Sequence, residues 1–222
     1  MEILVKLTSR KRPNELLYCI DKAIEMAHEP EKLKWLITLD NDDELCNNKE
    51  FISELHKHIY NPVINLGNSK SKIEAINADI NDYKLSWDIL VNLSDDQIAE
   101  TKDWDKIIKG VMSESLDCSL WFNDGWQDRI NTMEIVGYNY YKRFNYIYYP
   151  EYKSFYCDNE TTEIAEKLNR SIKSNTCLFR HYHYGWNPNS HMKKDETYTK
   201  AEVYWNHDQE LFKKRKLINY GM

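Results

Sequence analysis

Asp88-Ile89-Leu90-Val91-Asn92-Leu93-Ser94-Asp95-Asp96 passes within nine residues from an apolar run to a polar, acidic end. A short apolar run closed by polar residues predicts a buried strand. The same grammar occurs three times upstream. Glu2–Leu7 leads to Thr8-Ser9-Arg10-Lys11-Arg12, Trp35–Leu39 to Asp40-Asn41-Asp42-Asp43, and Pro62–Leu66 to Gly67-Asn68-Ser69. Helical spacing fills the intervals. Pro13 sits where a helix begins, followed by Leu16, Ile20, Ile24 and Ala27. Phe51, Leu55 and Ile59 mark a second helix, Ile73, Ile76 and Ile80 a third. Trp104, Ile107, Ile108, Val111 and Met112 line a fourth. Pro is well tolerated at a helix's first position, where its missing N–H is not needed.

Strands alternating with helices imply an α/β fold with a Rossmann-like, mostly parallel central sheet flanked by helices. The second half is less regular. Cys118–Phe122, Thr132–Val136 and Cys177–Tyr182 are predicted strands, and Glu160–Leu168 and Glu196–Ile218 are predicted helices. With 222 residues, six Gly and five Pro, and no repeat or linker, one domain spanning 1–222 is expected.

Composition bounds the function. Hydrophobic residues at 41% and charged residues at 30% are ordinary for a globular chain. A net charge of −6 argues against binding nucleic acid through a broadly basic surface. The run Lys213-Lys214-Arg215-Lys216 fits the solvated end of a last helix, where cations suit the dipole. Five scattered cysteines without a C-x-x-C pair point to a reduced protein. No apolar run is long enough for a signal peptide's core or a membrane span, so a cytoplasmic protein is expected.

Parallel strands deliver their polar ends to one edge of the sheet, where ligands of such sheets bind. Two acidic clusters beside a basic one suit a metal–diphosphate: carboxylates hold the ion, and Arg and Lys neutralise phosphate oxygens. Plainer readings stand beside this one. Ser94-x-x-Gln97 is also the pattern of a helix capping box, and Asp40–Glu44 is also an acidic loop. His181 and His183 alternate on a predicted strand, so both point one way, with Cys177 on the same face. Asp124, in Asn123-Asp124-Gly125, also reads as a turn, and Asp158 as a helix N-cap.

Taken in order, these segments resemble the GT-A glycosyltransferases, in particular the GT2-like group and its compact bacterial and viral members. The resemblance rests on Lys6 to Pro13, Leu39 to Asp43, Lys72 to Asn77, Ile89 to Asp96, Phe122 to Gly125, Ile135 to Gly137, Tyr149 to Tyr152 and His181 to His183. It implies a nucleotide-binding half over residues 1–96 and an acceptor and metal-completing half over 97–222. It implies that Thr8, Ser9, Arg10 and Arg12 line the nucleotide pocket, with Asp40 near base or ribose and Ser69, Lys72 and Asn77 also on the nucleotide. Asp95 would meet the ribose and Asp96 the metal, with His183 first and His181 second to complete its shell. Asp124 would hold the acceptor, and Asp158 would act as general base. The implied activity is inverting transfer from a nucleotide-sugar, a UDP-sugar by default, with Mn²⁺ or Mg²⁺. The acceptor is left open among glycan, small molecule, protein and modified nucleic-acid base. If phage-encoded, the protein would work in the host cytoplasm. Two rivals are a zinc hydrolase built on Cys177, His181 and His183, and an inactive nucleotide-sugar-binding module.

Overall fold

A computed structural model describes residues 1–185, 187, 190 and 192–222. The chain runs β1 (Ile3–Thr8), α1 (Pro13–Met26), β2 (Lys34–Asp40), α2 (Lys49–His58), β3 (Val63–Gly67), α3 (Lys72–Asn77) and β4 (Ile89–Ser94). It continues through β5 (Gln97–Ala99), α4 (Trp104–Val111), β6 (Ser119–Phe122), β7 (Ile135–Gly137), α5 (Tyr138–Tyr141) and α6 (Cys157–Lys167). The last elements are β8 (Ser171–Ser174), β9 (Phe179–His181), α7 (Glu196–Glu202) and α8 (Trp205–Leu217).

Seven strands form one sheet in the order β3-β2-β1-β4-β7-β6-β8. The four strands read first from the sequence are its parallel neighbours, with Leu4 opposite both Lys34 and Leu90. Strand β7 runs antiparallel to β4 and β6, and β8 lies parallel to β6 at the edge. Both halves of the chain therefore build one sheet. A separate antiparallel pair joins β5 to β9, with Gln97 opposite His181.

The sheet is buried on both faces, which is why β1, β2 and β4 are apolar without alternation. Ile3, Val5 and Leu7 face a core shared with Leu16, Cys19, Ile20 and Ala23 of α1 and with Trp104 and Ile108 of α4. Leu4, Leu36 and Leu90 face a second core with Ile73, Ile76, Tyr140 and Tyr152. Each fully buried Leu or Ile contributes about 1.5–3 kcal/mol, so these positions fix which face each helix covers.

Four readings of local structure are corrected. No helix follows Ser94: the Gln97 side chain does accept from the Ser94 N–H at 3.0 Å, but the chain enters β5 instead. The strand expected at Thr132–Val136 begins at Ile135, because Thr132 is spent on the Asp124 turn through its hydroxyl. Helix α6 starts at Cys157, so Asp158 lies in its first turn and is not its cap. The helix expected over Glu196–Ile218 breaks between Glu202 and Trp205. Its two parts are anchored on different partners. Helix α7 lies against the 10–12 loop through Asp195 and Glu196. Helix α8 is tied to α6 by the buried Arg215–Glu160 pair, and Asp208 caps the backbone N–H groups of residues 153–155. Among the described residues no helix is long and apolar enough to cross a membrane, and none of the five cysteines forms a disulfide.

Candidate active site

The carboxyl ends of β1, β2 and β4 lie side by side, and their polar residues engage one another. Asp95 is 5% exposed and holds two partners: the Ser9 hydroxyl donates to its Oδ2 at 2.6 Å, and Arg12 Nη1 donates to its Oδ1 at 3.0 Å. Arg10 bridges the β2 end, donating to Asp40 at 2.6 Å and to both oxygens of Asp42 at 2.7 and 2.8 Å. Asp43, fully buried, accepts the Lys11 N–H at 2.6 Å and so ties the two loops together.

Asp96 is the pivot. Its side chain is nearly sealed at 4% exposed. Oδ2 accepts the Tyr198 hydroxyl at 3.0 Å and lies 3.4 Å from His181 Nε2. Oδ1 has no hydrogen-bond partner, although it is buried. Buried polar atoms are normally satisfied, so such an orphan points to a missing ligand. Arg12 Nη2 and Asp40 Oδ1 are buried without partners in the same neighbourhood.

The electrostatics divide the pair. Burial raises the Asp95 carboxyl to about 6, the adjacent Asp96 charge pushes the same way, and Arg12 opposes. Burial also works against ionisation of Asp96, but the fields of His181, Lys72 and Arg12 outweigh it and hold this group well below the usual carboxylate range. The surroundings thus favour the charged form of Asp96 more than that of Asp95, and a cation ligand needs that form.

Lys72, the first residue of α3, exerts its charge on both Asp96 and Asp158, so the second half of the chain faces the same space. Asp158 is half-buried. Burial raises its pKa, opposed by the Asn159 N–H that its Oδ1 accepts at 2.9 Å. A carboxylate made more basic in this way suits proton abstraction.

The two histidines separate in role. His181 ends β9 and faces Asp96, while the His183 ring packs on Tyr198 at 4.7 Å and takes the Gly185 N–H on Nδ1. Burial lowers the His183 pKa to about 4, and His181 adds to the effect. Geometry therefore favours His181, the second choice from sequence, as the partner of Asp96.

No family model and no curated protein sequence matches the chain. Solved structures do match it in three dimensions. S. aureus TarS aligns at a TM-score of 0.63 with 13% identity, over 82% of this chain and 60% of that one. A mannosyltransferase from Pyrobaculum calidifontis in complex with GDP-Man and Mn²⁺ aligns at 0.64 with 13% identity, over 83% and 58%. The chain has the GT-A fold. TarS in complex with UDP-GlcNAc matches 96% of this chain at a TM-score of 0.61 and 14% identity, over 70% of its own length. The GT-A chain described here thus spans about 60% of the first two matched chains.

Within this GT-A fold, Ser9, Arg10, Arg12, Asp40, Asp95, Asp96 and His181 come together at one end of the sheet, with Thr8 ending β1 beside them. Ser69 lies next to Gly67 at the end of β3. Two residues read as ligand contacts are engaged elsewhere. The Asn77 side chain is taken up by the backbone of Ile147 and Tyr148. Asp124 accepts from Trp126, Gln127 and Thr132, which holds the 124–127 turn together. The zinc-hydrolase rival is not favoured. Strand β9 covers only Phe179–His181, so alternation does not carry Cys177 and His183 onto one face. Among the described residues no three His, Cys, Asp or Glu side chains converge as a metal site. The sequence reading missed Asp195 and Tyr198, which reach Arg12 and Asp96. Their local signal is only a helix cap, since Asp195 accepts the Tyr198 N–H.

Proposed function

We propose that this chain is a glycosyltransferase that moves a sugar from a UDP-sugar to an acceptor hydroxyl with inversion, using one Mn²⁺ or Mg²⁺ ion. The observation that carries the reading is Asp96: an ionised carboxylate at the end of a parallel strand, one oxygen buried without a partner, His181 beside it and Arg12 close by. An orphaned anionic oxygen and an imidazole fit a divalent ion that takes its other ligands from phosphate and water. Such an ion, when bound, offsets the charge that develops on the departing nucleoside diphosphate. The complexes of the matched structures with GDP-Man and Mn²⁺ and with UDP-GlcNAc support the same class of donor.

In this reading Asp96 and His181 would hold the ion, with the His183 ring 5.8 Å from that of His181 as the further candidate ligand. Arg12 and Arg10 neutralise the diphosphate, and Asp40 with its unpaired oxygen faces the nucleoside. The bond between the anomeric carbon and the phosphate oxygen breaks as the acceptor oxygen bonds to that carbon from the opposite face. Asp158 takes the acceptor's proton.

Calorimetric titration of UDP with and without MnCl₂ tests the proposal. Wild type is expected to bind UDP only with Mn²⁺, Arg12→Ala to weaken that binding, and Asp96→Asn to abolish the Mn²⁺-dependent binding. Asp96→Asn binding UDP in Mn²⁺ as wild type does would refute the reading.

A further inference from the structure

The stretch from Asp195 to Tyr198 lies on the residues just given to the donor. Arg12 Nε donates to Asp195 at 2.6 Å, and Lys11 Nζ pairs with Glu196 at 2.7 Å. The Thr197 hydroxyl donates to the Arg10 carbonyl at 3.3 Å. The Tyr198 hydroxyl donates to Asp96, and its ring lies 4.1 Å from the Arg12 guanidinium carbon. Four consecutive residues thus cover the 10–12 loop and the Asp95-Asp96 pair.

Two consequences follow from the chemistry of this cover. Arg12 and Asp96 are only 6% and 4% exposed, and Tyr198 is in contact with both, so a diphosphate and its ion compete with Tyr198 for them. The cover also carries the right charges to be exchanged. Asp195 and Glu196 place two carboxylates on two cations, as a diphosphate places two anionic groups. The match is incomplete, because Arg12 Nη2 and Asp96 Oδ1 stay unsatisfied beneath it. A phosphate oxygen would complete the first and a cation the second. Helix α7 itself buries no residue, so polar contacts that a ligand can replace do much of the work of holding it.

We infer that residues 195–198 are an internal stand-in for the metal–diphosphate of the donor, and that the donor binds by displacing them. The inference rests on the glycosyltransferase reading. Anything that occupies one site at the expense of another lowers the apparent affinity for both, so loosening the stand-in must tighten donor binding.

The test uses the whole chain and the double variant Asp195→Asn, Glu196→Gln. Asn serves as well as Asp as a helix N-cap, so α7 keeps its start while both charges are lost. UDP and inorganic pyrophosphate, each with MnCl₂, are titrated calorimetrically into both proteins. Amide hydrogen exchange is followed over residues 193–204. The double variant is expected to bind UDP about tenfold more tightly than wild type, the size of two partly exposed ion pairs removed from competition. UDP with Mn²⁺ is expected to speed exchange in 195–202 of wild type. Equal or weaker binding of both UDP and pyrophosphate by the variant, or slower exchange in 195–202 on adding UDP, overturns the stand-in while leaving the donor reading intact. Tighter pyrophosphate binding by the variant, with no added affinity for UDP, keeps the stand-in and removes the uridine donor. Binding of neither ligand by either protein overturns both.

Discussion

Replacing Lys6 with methionine should stabilise the protein at neutral pH. Lys6 lies in the middle of β1 at 0% exposure, and its ammonium donates to the Thr38 hydroxyl, which donates to Asp79 at 2.6 Å. Burial lowers its pKa from an ordinary 10.5 to about 7, with Asp79 opposing. The unfolded chain therefore binds more protons than the folded one between about 7 and 10.5, and keeping the folded lysine charged costs stability. That cost is full below pH 7 and fades as pH rises through the window. At pH 7 the shift corresponds to roughly 4 kcal/mol. Methionine fills similar space without charge but gives up the hydrogen bond to Thr38, worth about 1 kcal/mol. The expected net gain is about 3 kcal/mol at pH 7, shrinking by about 2 kcal/mol at pH 9. Urea unfolding of both proteins at pH 7, 8 and 9 measures this. Wild type alone is not enough, because buried thiols and tyrosines with raised pKa values lose stability as pH rises in both proteins. Only the difference isolates Lys6. A Lys6→Met protein no more stable than wild type at pH 7, or a gain independent of pH, would refute the reasoning.

Glu134 presents the opposite sign. It is buried among Ser119 and Asn131, and burial raises its carboxyl to about 7. Its contribution is complete below its ordinary pKa and is lost as pH rises toward 7, so Glu134→Gln should gain roughly 3 kcal/mol at pH 7.5 and nothing at pH 4. Denaturant midpoints at both pH values would check it. Asp105, fully buried, accepts the His28 and Glu29 N–H groups at 2.6 and 3.1 Å. Asp105→Ala should therefore cost about 2–4 kcal/mol in chemical unfolding, and Asp105→Asn distinctly less. A Cβ at Gly137 would stand 2.1 Å from the Leu116 carbonyl oxygen. Gly137→Ala forces the end of β7 away from the backbone at Leu116 and should lower stability by about 1–3 kcal/mol, read as a fall in Tm.

The first half of the molecule was legible because its signals are local. Apolar runs at β1, β2, β3 and β4, each closed by polar residues and separated by helical spacing, specify buried parallel strands whose ends gather at one edge. That placed Ser9, Arg12, Asp40, Asp95 and Asp96 together before any coordinates. The second half was less legible for a physical reason. Strand β8, Ser-Ile-Lys-Ser, has one apolar residue and exists because β6 offers it backbone partners. That the His181 ring lies beside Asp96 depends on where β9 ends. Asn77 and Asp124 carry the residue types of ligand contacts, yet backbone groups of neighbouring segments claim their side chains. Sequence by itself determined the layered α/β frame and the acidic and basic residues at its edge, because burial and strand polarity follow from periods of a few residues. Tertiary structure decided which of those charges are paired, which oxygen of Asp96 is left without a partner, and that Tyr198 covers it. Those outcomes are set by contacts between groups as far as 185 residues apart in the chain, and spacing along a sequence carries no record of them.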